Sequence, residues 1–164
     1  MGATVAATAG SPEKCRFLLD LGCERAFNYR EEDWVAGVLD WSAGNGVDVV
    51  LDMVGGDYFA KHLKALARDG RLVHIATTRG NNVELDLRAV MAKRLTITGS
   101  TLRSRSVEEK TRLRDGLEDV LWPFVQDGTI RPIVDSVFAL NDAAKAHDRM
   151  QSSQHMGKIV LELQ

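Results

Sequence analysis

Two rhythms alternate along this chain. Short runs rich in small and β-branched apolar residues are separated by stretches in which apolar positions recur at helical spacing. Ala3 to Thr8 reads as a strand, so the chain opens inside a sheet. Gly10-Ser11-Pro12-Glu13 breaks that strand, with Ser11 placed as an N-cap and Pro12 at the first helical position, where a missing N–H is harmless. A helix is expected from there to Leu21, with Phe17, Leu18 and Leu21 as its apolar stripe and Gly22 as its stop. Arg25 to Tyr29 predicts a second strand. Glu31 to Trp41 predicts a helix with Trp34, Val38 and Trp41 on one face, ended by Gly44-Asn45-Gly46.

Val47 to Val54 is nearly continuous in apolar residues, the pattern of a strand covered by helices on both faces, and it stops at Gly55-Gly56. A helix is expected over Tyr58 to Arg68, where Phe59, Leu63 and Leu66 fall at i, i+4 and i+7, and then a strand over Arg71 to Ala76. A loop rich in Thr, Gly and Asn spans Thr77 to Asn82. A short helix around Leu87 to Lys93 leads into a strand from Leu95 to Gly99. Val107 to Gln126 reads as one long helix with Leu113, Leu117, Val120, Leu121 and Phe124 on a face, kinked near its end by Pro123.

This β-α alternation implies an α/β fold with a doubly wound parallel sheet and helices on both faces. The rhythm changes at Thr129. Arg131-Pro132 reads as a linker, Ile133 to Leu140 as a strand, Asp142 to Met150 as a helix and Lys158 to Leu163 as a last strand. The expected division is therefore a sheet domain over 1–128 and a tail over 129–164 that belongs to another structural layer.

Composition narrows the class. The chain has 164 residues, 45% of them hydrophobic and 27% charged, enough for folding to remove roughly 70% of the unfolded chain's surface from water without disulfides or a structural metal. Cys15 and Cys23 show no CxxC and no nearby His at metal-ligand spacing, so they read as reduced thiols and no metal site is expected. With a net charge of -2 and no basic stripe interleaved with aromatics, nucleic acid is not an expected partner. No apolar run approaches the ~18 residues of a membrane span. The start, Met1 to Ala6, lacks the pattern of a signal peptide, and Ala6 stands where a myristoylation motif needs Ser or Thr. A cytoplasmic protein is expected.

In an open parallel sheet, ligands bind beyond the carboxyl ends of the strands. The first of these ends is Ala9-Gly10-Ser11. Dinucleotide folds that prefer NAD place an Asp or Glu at such an end for the ribose 2′-hydroxyl, and none stands there. A hydroxyl, Lys14 and a helix N-terminus stand there instead, a combination that suits a 2′-phosphate and favours NADP(H). Ser11 reads equally as a mere cap and Lys14 as a solvated charge, and Glu13 counts against an anion. Gly55-Gly56 either admits a cofactor close to the backbone or makes a turn. The same choice covers Ala76-Thr77-Thr78-Arg79-Gly80. Tyr29 either stacks on an adenine or packs internally, and Asp52 either performs acid-base work or holds a structural hydrogen bond near its strand end. Arg103-Ser104-Arg105 reads as a basic clamp or as solvated surface. His62, His74, His147 and His155 are scattered outside any Ser/His/Asp or metal pattern, no catalytic acid or base is named, and the glycine fingerprint GxGxxG is absent.

The runs Ala7 to Ser11, Phe27 to Arg30, Gly46 to Gly56 and Gly157 to Glu162 together resemble the zinc-independent, zeta-crystallin-like quinone oxidoreductases of the medium-chain dehydrogenase/reductase superfamily. Leu102 to Arg105 resembles a Leu-Arg-Ser-Arg run in the tumour-suppressor-inducible branch. The resemblance spans essentially the whole chain. It implies a Rossmann-like fold and hydride transfer from NADPH to quinones or enones. It implies that Ser11, Lys14 and Tyr29, beside Gly10, surround the adenosine 2′-phosphate and ribose, and that Gly55 lies near the cofactor. Ala76, Thr77, Thr78 and Arg79, with Ser100, Thr101 and Leu102, would follow the pyrophosphate and nicotinamide, and Lys158 would add a basic position near the 2′-phosphate. Family members precede this stretch with a substrate domain, a central strand and the glycine loop. The expectation is thus an incomplete sheet: the cofactor-binding part of an NADPH-dependent quinone oxidoreductase, inactive by itself. The alternatives are a noncatalytic module that forms dimers through sheet edges, or an enoyl-reductase-type relative.

Overall fold

The computed structural model describes residues 2–163, and Met1, the first residue of the start read above, and Gln164 lie outside them. The chain forms two compact units, Met1–Ser104 and Arg105–Gln164. Every strand pairing within them is parallel, as the α/β alternation predicts.

The first unit begins with β1 (Ala6–Ala9), α1 (Pro12–Asp20), β2 (Arg25–Asn28) and α2 (Trp34–Trp41). Ser11 caps α1 by accepting the Lys14 N–H, and Asp33 caps α2 by accepting from Val35 and Ala36. β3 (Val47–Asp52) follows, then a single 3-10 turn (Gly56–Tyr58), α3 (Phe59–Ala65), β4 (Leu66–His74), α4 (Leu87–Lys93) and β5 (Thr96–Gly99). The strands make two sheets, β1-β2 and β3-β4-β5. One core gathers Phe27, Trp34, Val35, Val38, Tyr58 and Ala65, and the other gathers Phe59, Leu63, Leu66, Leu72 and Leu95.

Two expectations about this unit need correction. Leu66 to Arg68 are not helical: the chain turns extended at Leu66, which pairs with Val47. The helix stops because the Lys93 ammonium caps its last carbonyls, donating to Leu63 O at 2.9 Å and Lys64 O at 2.8 Å. A stripe at i, i+4, i+7 could not reveal this, since Leu66 is equally apolar as the last residue of a helix or the first of a strand. β3, in turn, is covered on one side only. Val49, Leu51 and Met53 are more than half exposed, while Asp52 between them is buried.

The second unit contains α5 (Val107–Val120), α6 (Trp122–Gln126), β6 (Val134–Ala139), a 3-10 turn (Leu140–Asp142), α7 (Ala143–Gln151) and β7 (Lys158–Glu162). Ser106 and Glu109 close a capping box at the start of α5. The expected kink is a full break at Leu121, with Pro123 in the first turn of α6, where it belongs sterically. β6 and β7 pair as a separate two-stranded sheet.

Candidate active-site edge of the first unit

The carboxyl ends of β1 to β5 carry most of the candidate residues, and contacts link them in sequence. Gly10 ends β1 directly beneath Tyr29. A side chain at Gly10 would place its Cβ 2.6 Å from the Tyr29 hydroxyl and 3.2 Å from Arg30 Nε, so it would push the Tyr29 ring out of its present place. The Tyr29 ring meets Tyr58 edge-on with centroids 6.3 Å apart, and the Arg79 guanidinium lies 5.5 Å from the Tyr58 centroid. Burial, with Tyr29 adding to it, raises the Tyr58 phenol above its ordinary range. Arg79 is also held by Asp57, 3.1 Å from its Nε.

The turn after β3 fits tightly against the loop after β4. Gly55 and Gly56 both have positive φ, and a Cβ on Gly55 would lie 2.8 Å from Gly80 O and 3.1 Å from Thr77 Cβ. Main-chain bonds fasten the two loops, from Arg79 N to Val54 O at 2.8 Å and from Gly56 N to Gly80 O at 3.1 Å. The Thr78 hydroxyl donates to Met53 O at 3.2 Å, and Thr77 bonds Asn81. The two glycines therefore serve a loop-to-loop contact. Ala76 belongs to this same loop. Ser100 joins through its N–H to His74 O at 2.9 Å, the Thr101 hydroxyl meets that of Ser104 at 3.1 Å, and the Leu102 side chain is exposed.

Ser11 and Lys14 stand at the start of α1, beside the end of β1. Glu13 stands there too. Its carboxyl is held below the ordinary range by its own backbone N–H, then by the Ser11 hydroxyl and by Arg16, so this helix end already faces one negative charge. Lys158 opens β7 in the other unit, where its N–H donates to Ile133 O at 2.8 Å.

Beneath the glycine turn lies a cluster of residues that stand far apart in the sequence. Asp52 is 2% exposed. It accepts from Val54 N at 2.8 Å, Gly55 N at 3.0 Å and His74 Nδ1 at 2.8 Å, and His62 Nε2 lies 3.1 Å from its other oxygen. Burial pushes the Asp52 carboxyl up, but the two backbone donors and His62 outweigh it and leave the group below its ordinary value. His62 goes the same way for the opposite reason: burial disfavours its charged form more than Asp52 favours it. The scattered histidines are thus not all scattered. His74 is the register partner of Asp52 across β3 and β4, and His62 lies one turn from Phe59 on the buried face of α3. Asp52 here fixes the turn that carries Gly55, the structural reading of that residue.

This chain matches the family model described as zinc-binding dehydrogenase over residues 21–161. The quinone oxidoreductase of Rattus norvegicus is 32% identical over 99% of the chain and 48% of its own length. Among solved structures, an NAD-dependent alcohol dehydrogenase superposes with a TM-score of 0.82 at 35% identity, over 99% of this chain and 45% of that one. The enoyl reductase CurK superposes with a TM-score of 0.79 at 28% identity, over 99% and 48%. The chain spans about half the length of the curated relatives it matches. The zinc in the family's description finds no ligand set here, since among the described residues no group of three or more His, Cys, Asp or Glu is arranged to hold a metal. No helix of the described residues is long and apolar enough to cross a membrane. By the extent of the family match and the parallel α/β architecture that accompanies it, the chain belongs to the zinc-binding dehydrogenase family of the medium-chain dehydrogenase/reductase superfamily.

Proposed function

We infer that the carboxyl edge of the first unit is one side of an NADP(H) site, and that the whole protein of which such a stretch is part reduces quinones. The observation that carries the reading is the linkage of Gly10, Tyr29, Gly55 and the 76–80 loop at one end of parallel strands, where an open sheet of this class takes its ligand. Ser11, Lys14 and the α1 N-terminus would hold the 2′-phosphate, with Tyr29 beside the ribose and adenine. The loop from Ala76 to Arg79 offers hydroxyls and a guanidinium along the pyrophosphate. Ser100 to Leu102 would flank the nicotinamide. When bound, NADPH supplies a hydride from nicotinamide C4 to an electron-poor acceptor. The residues named here bind and orient, and none is assigned a proton to move.

Fluorescence titration of the chain with NADPH, and with NADH in parallel, tests the site. Saturable binding with NADPH preferred, and a Lys14→Ala variant that loses the preference, is the expected result. Equal affinity for both cofactors, or no binding, overturns it. Quinone turnover by the chain alone is expected to be negligible, because the matched relatives carry as much polypeptide again. The likeness to CurK favours a second reading, reduction of an enoyl conjugate. A protein that spans a relative's full length would separate the two by its rate on a quinone against a 2-enoyl thioester. The exposed outer edge of β5 further supports pairing of two copies along that strand, which native mass measurement would reveal as a dimer.

A further inference from the structure

β4 is the middle strand of its sheet, and its last residue, His74, stands in register with Asp52 on β3 and with Gly99 on β5. Strand alternation puts His74 on the same face as Leu72, which is fully buried in the core that includes Phe59. An apolar side chain would suit such a place. The histidine ring is stacked on Phe59, with centroids 5.8 Å apart and planes 16° from parallel, and its Nδ1 lies 2.8 Å from the Asp52 carboxylate. The oxygen that takes Nδ1 also accepts Gly55 N at 3.0 Å, and the other oxygen accepts Val54 N at 2.8 Å. Main-chain bonds continue the junction: Ile75 N donates to Asp52 O at 2.8 Å, and Ser100 N donates to His74 O at 2.9 Å. On the β5 side, a Cβ on Gly99 would stand 3.2 Å from His74 O and 3.5 Å from His74 Cβ, so glycine keeps this approach uncrowded.

We propose that His74 is a positioning residue for the cofactor: bonded to Asp52 by its side chain and to Ser100 by its main chain, it sets the separation of the Gly55 turn and the 100–102 segment, between which the nicotinamide end of NADP(H) would fit. It touches no cofactor atom and acts through Asp52. The shared carboxylate oxygen is the link, because a shift of the imidazole moves the acceptor on which the Gly55 N–H depends. A buried carboxylate that lost one of its donors would turn toward those remaining, and the turn would follow it. His62 has no such part, since it faces the other oxygen from α3 and ends no strand. The inference rests on the reading of this edge as a cofactor site, and it divides that site in two. Ser11, Lys14 and Tyr29, assigned to the adenosine end, belong with the β1-β2 sheet, whereas His74 adjusts the ends of β3 and β5 in the other sheet.

The test titrates the full chain with NADPH and with adenosine 2′,5′-bisphosphate, which carries the adenosine end alone. His74→Leu keeps an apolar contact with Phe59 and removes the donor, while His74→Asn returns an amide nitrogen as many bonds from Cα as Nδ1. Circular dichroism and urea unfolding check that each variant folds. The leucine chain should bind NADPH at least about tenfold more weakly than the parent and the bisphosphate within about twofold of it. Its Gly55 amide should lose protection from exchange, and the asparagine chain should recover NADPH binding to within about threefold of the parent. A histidine that merely fills the core would weaken both ligands alike, and asparagine, the poorer core residue, would not restore binding; either result overturns the proposal. Should the leucine chain not fold, His74→Gln, with its amide one bond farther out, takes its place under the same expectation. A parent chain that binds neither ligand overturns the cofactor reading and this inference with it. A parent that binds NADPH beside a leucine chain that binds it equally well overturns the inference alone.

Discussion

The first unit buries Leu66 and Leu72 completely and encloses Asp52 behind them, whereas α5 and α6 of the second unit bury no residue at all. The second unit is tied by polar bonds instead. Arg149 on α7 grips Asp135 on β6 with two donors, at 3.0 and 2.8 Å, and Met156 N donates to the same carboxylate at 2.8 Å. One acidic side chain thus joins a strand, a helix and the segment before β7, a bidentate link of the kind that fixes orientation. Both units follow the same β-α rhythm, so periodicity alone does not say how an element is held. An apolar stripe states a demand for burial and leaves the supplier open.

The sharpest way to break this comparison is at Asp52. Asp52→Ala strips an acceptor from Val54 N, Gly55 N and His74 at once, and should cost roughly 3–5 kcal/mol of stability in urea unfolding. Leu72→Ala, at a fully buried position, should cost roughly 2–5 kcal/mol. If both variants lost less than about 1 kcal/mol, the first unit would not be organised by its interior.

Acid gives a second and smaller separation. His62 is held below the ordinary histidine value near 6.5, so the folded state resists a proton that the unfolded chain accepts. Its contribution is therefore complete above about pH 6.5 and declines as pH falls below it. Asp135 in the second unit is also depressed, by the Arg149 hydrogen bond first and the Met156 N–H next. Its contribution persists until pH falls below the ordinary aspartate range, near 3.8. Between pH 6.5 and about 4.5, protection from hydrogen exchange, taken relative to the intrinsic rate at each pH, should fall around α3 and the Gly55 turn while that of β6 and α7 holds steady. His62→Gln should flatten the first response. Loss of protection in both units together over that window would remove the distinction.

Much of the fold was legible because local chemistry repeats in the sequence. Gly-Ser-Pro-Glu announced the α1 cap, Gly55-Gly56 the turn after β3, and Pro123 a kink where the structure has a full break between α5 and α6. What stayed hidden depends on register. Asp52 and His74 lie 22 residues apart, and they meet because β3 and β4 pair in parallel with those two residues opposite each other. The available signal was a polar residue two places before the end of each of two neighbouring apolar runs, together with a histidine three places from Phe59 on a helical stripe. The capping lysine of α3 was hidden for the same reason, since Lys93 reaches carbonyls 29 and 30 residues back. Of the site, the strand ends were readable as places. The packing of Gly10 beneath Tyr29 and of Gly55 against Thr77 was not, because glycine spacing is silent about which loop approaches it.

The smallest expected effect lies on α5. Leu117 is 52% exposed, so Leu117→Lys removes little buried area and exchanges one good helix former for another. Stability should stay within about 0.5 kcal/mol of the parent, measured in urea alongside Leu72→Ala. The stripe formed by Leu113, Leu117 and Val120 would then be a face that the chain leaves open without loss to itself. A loss near 2 kcal/mol that grows with dilution would reverse this, since only a surface covered by association depends on concentration. The lysine would then report a partner on α5, and the contrast between the units would lie in what covers each apolar face, with both held by burial.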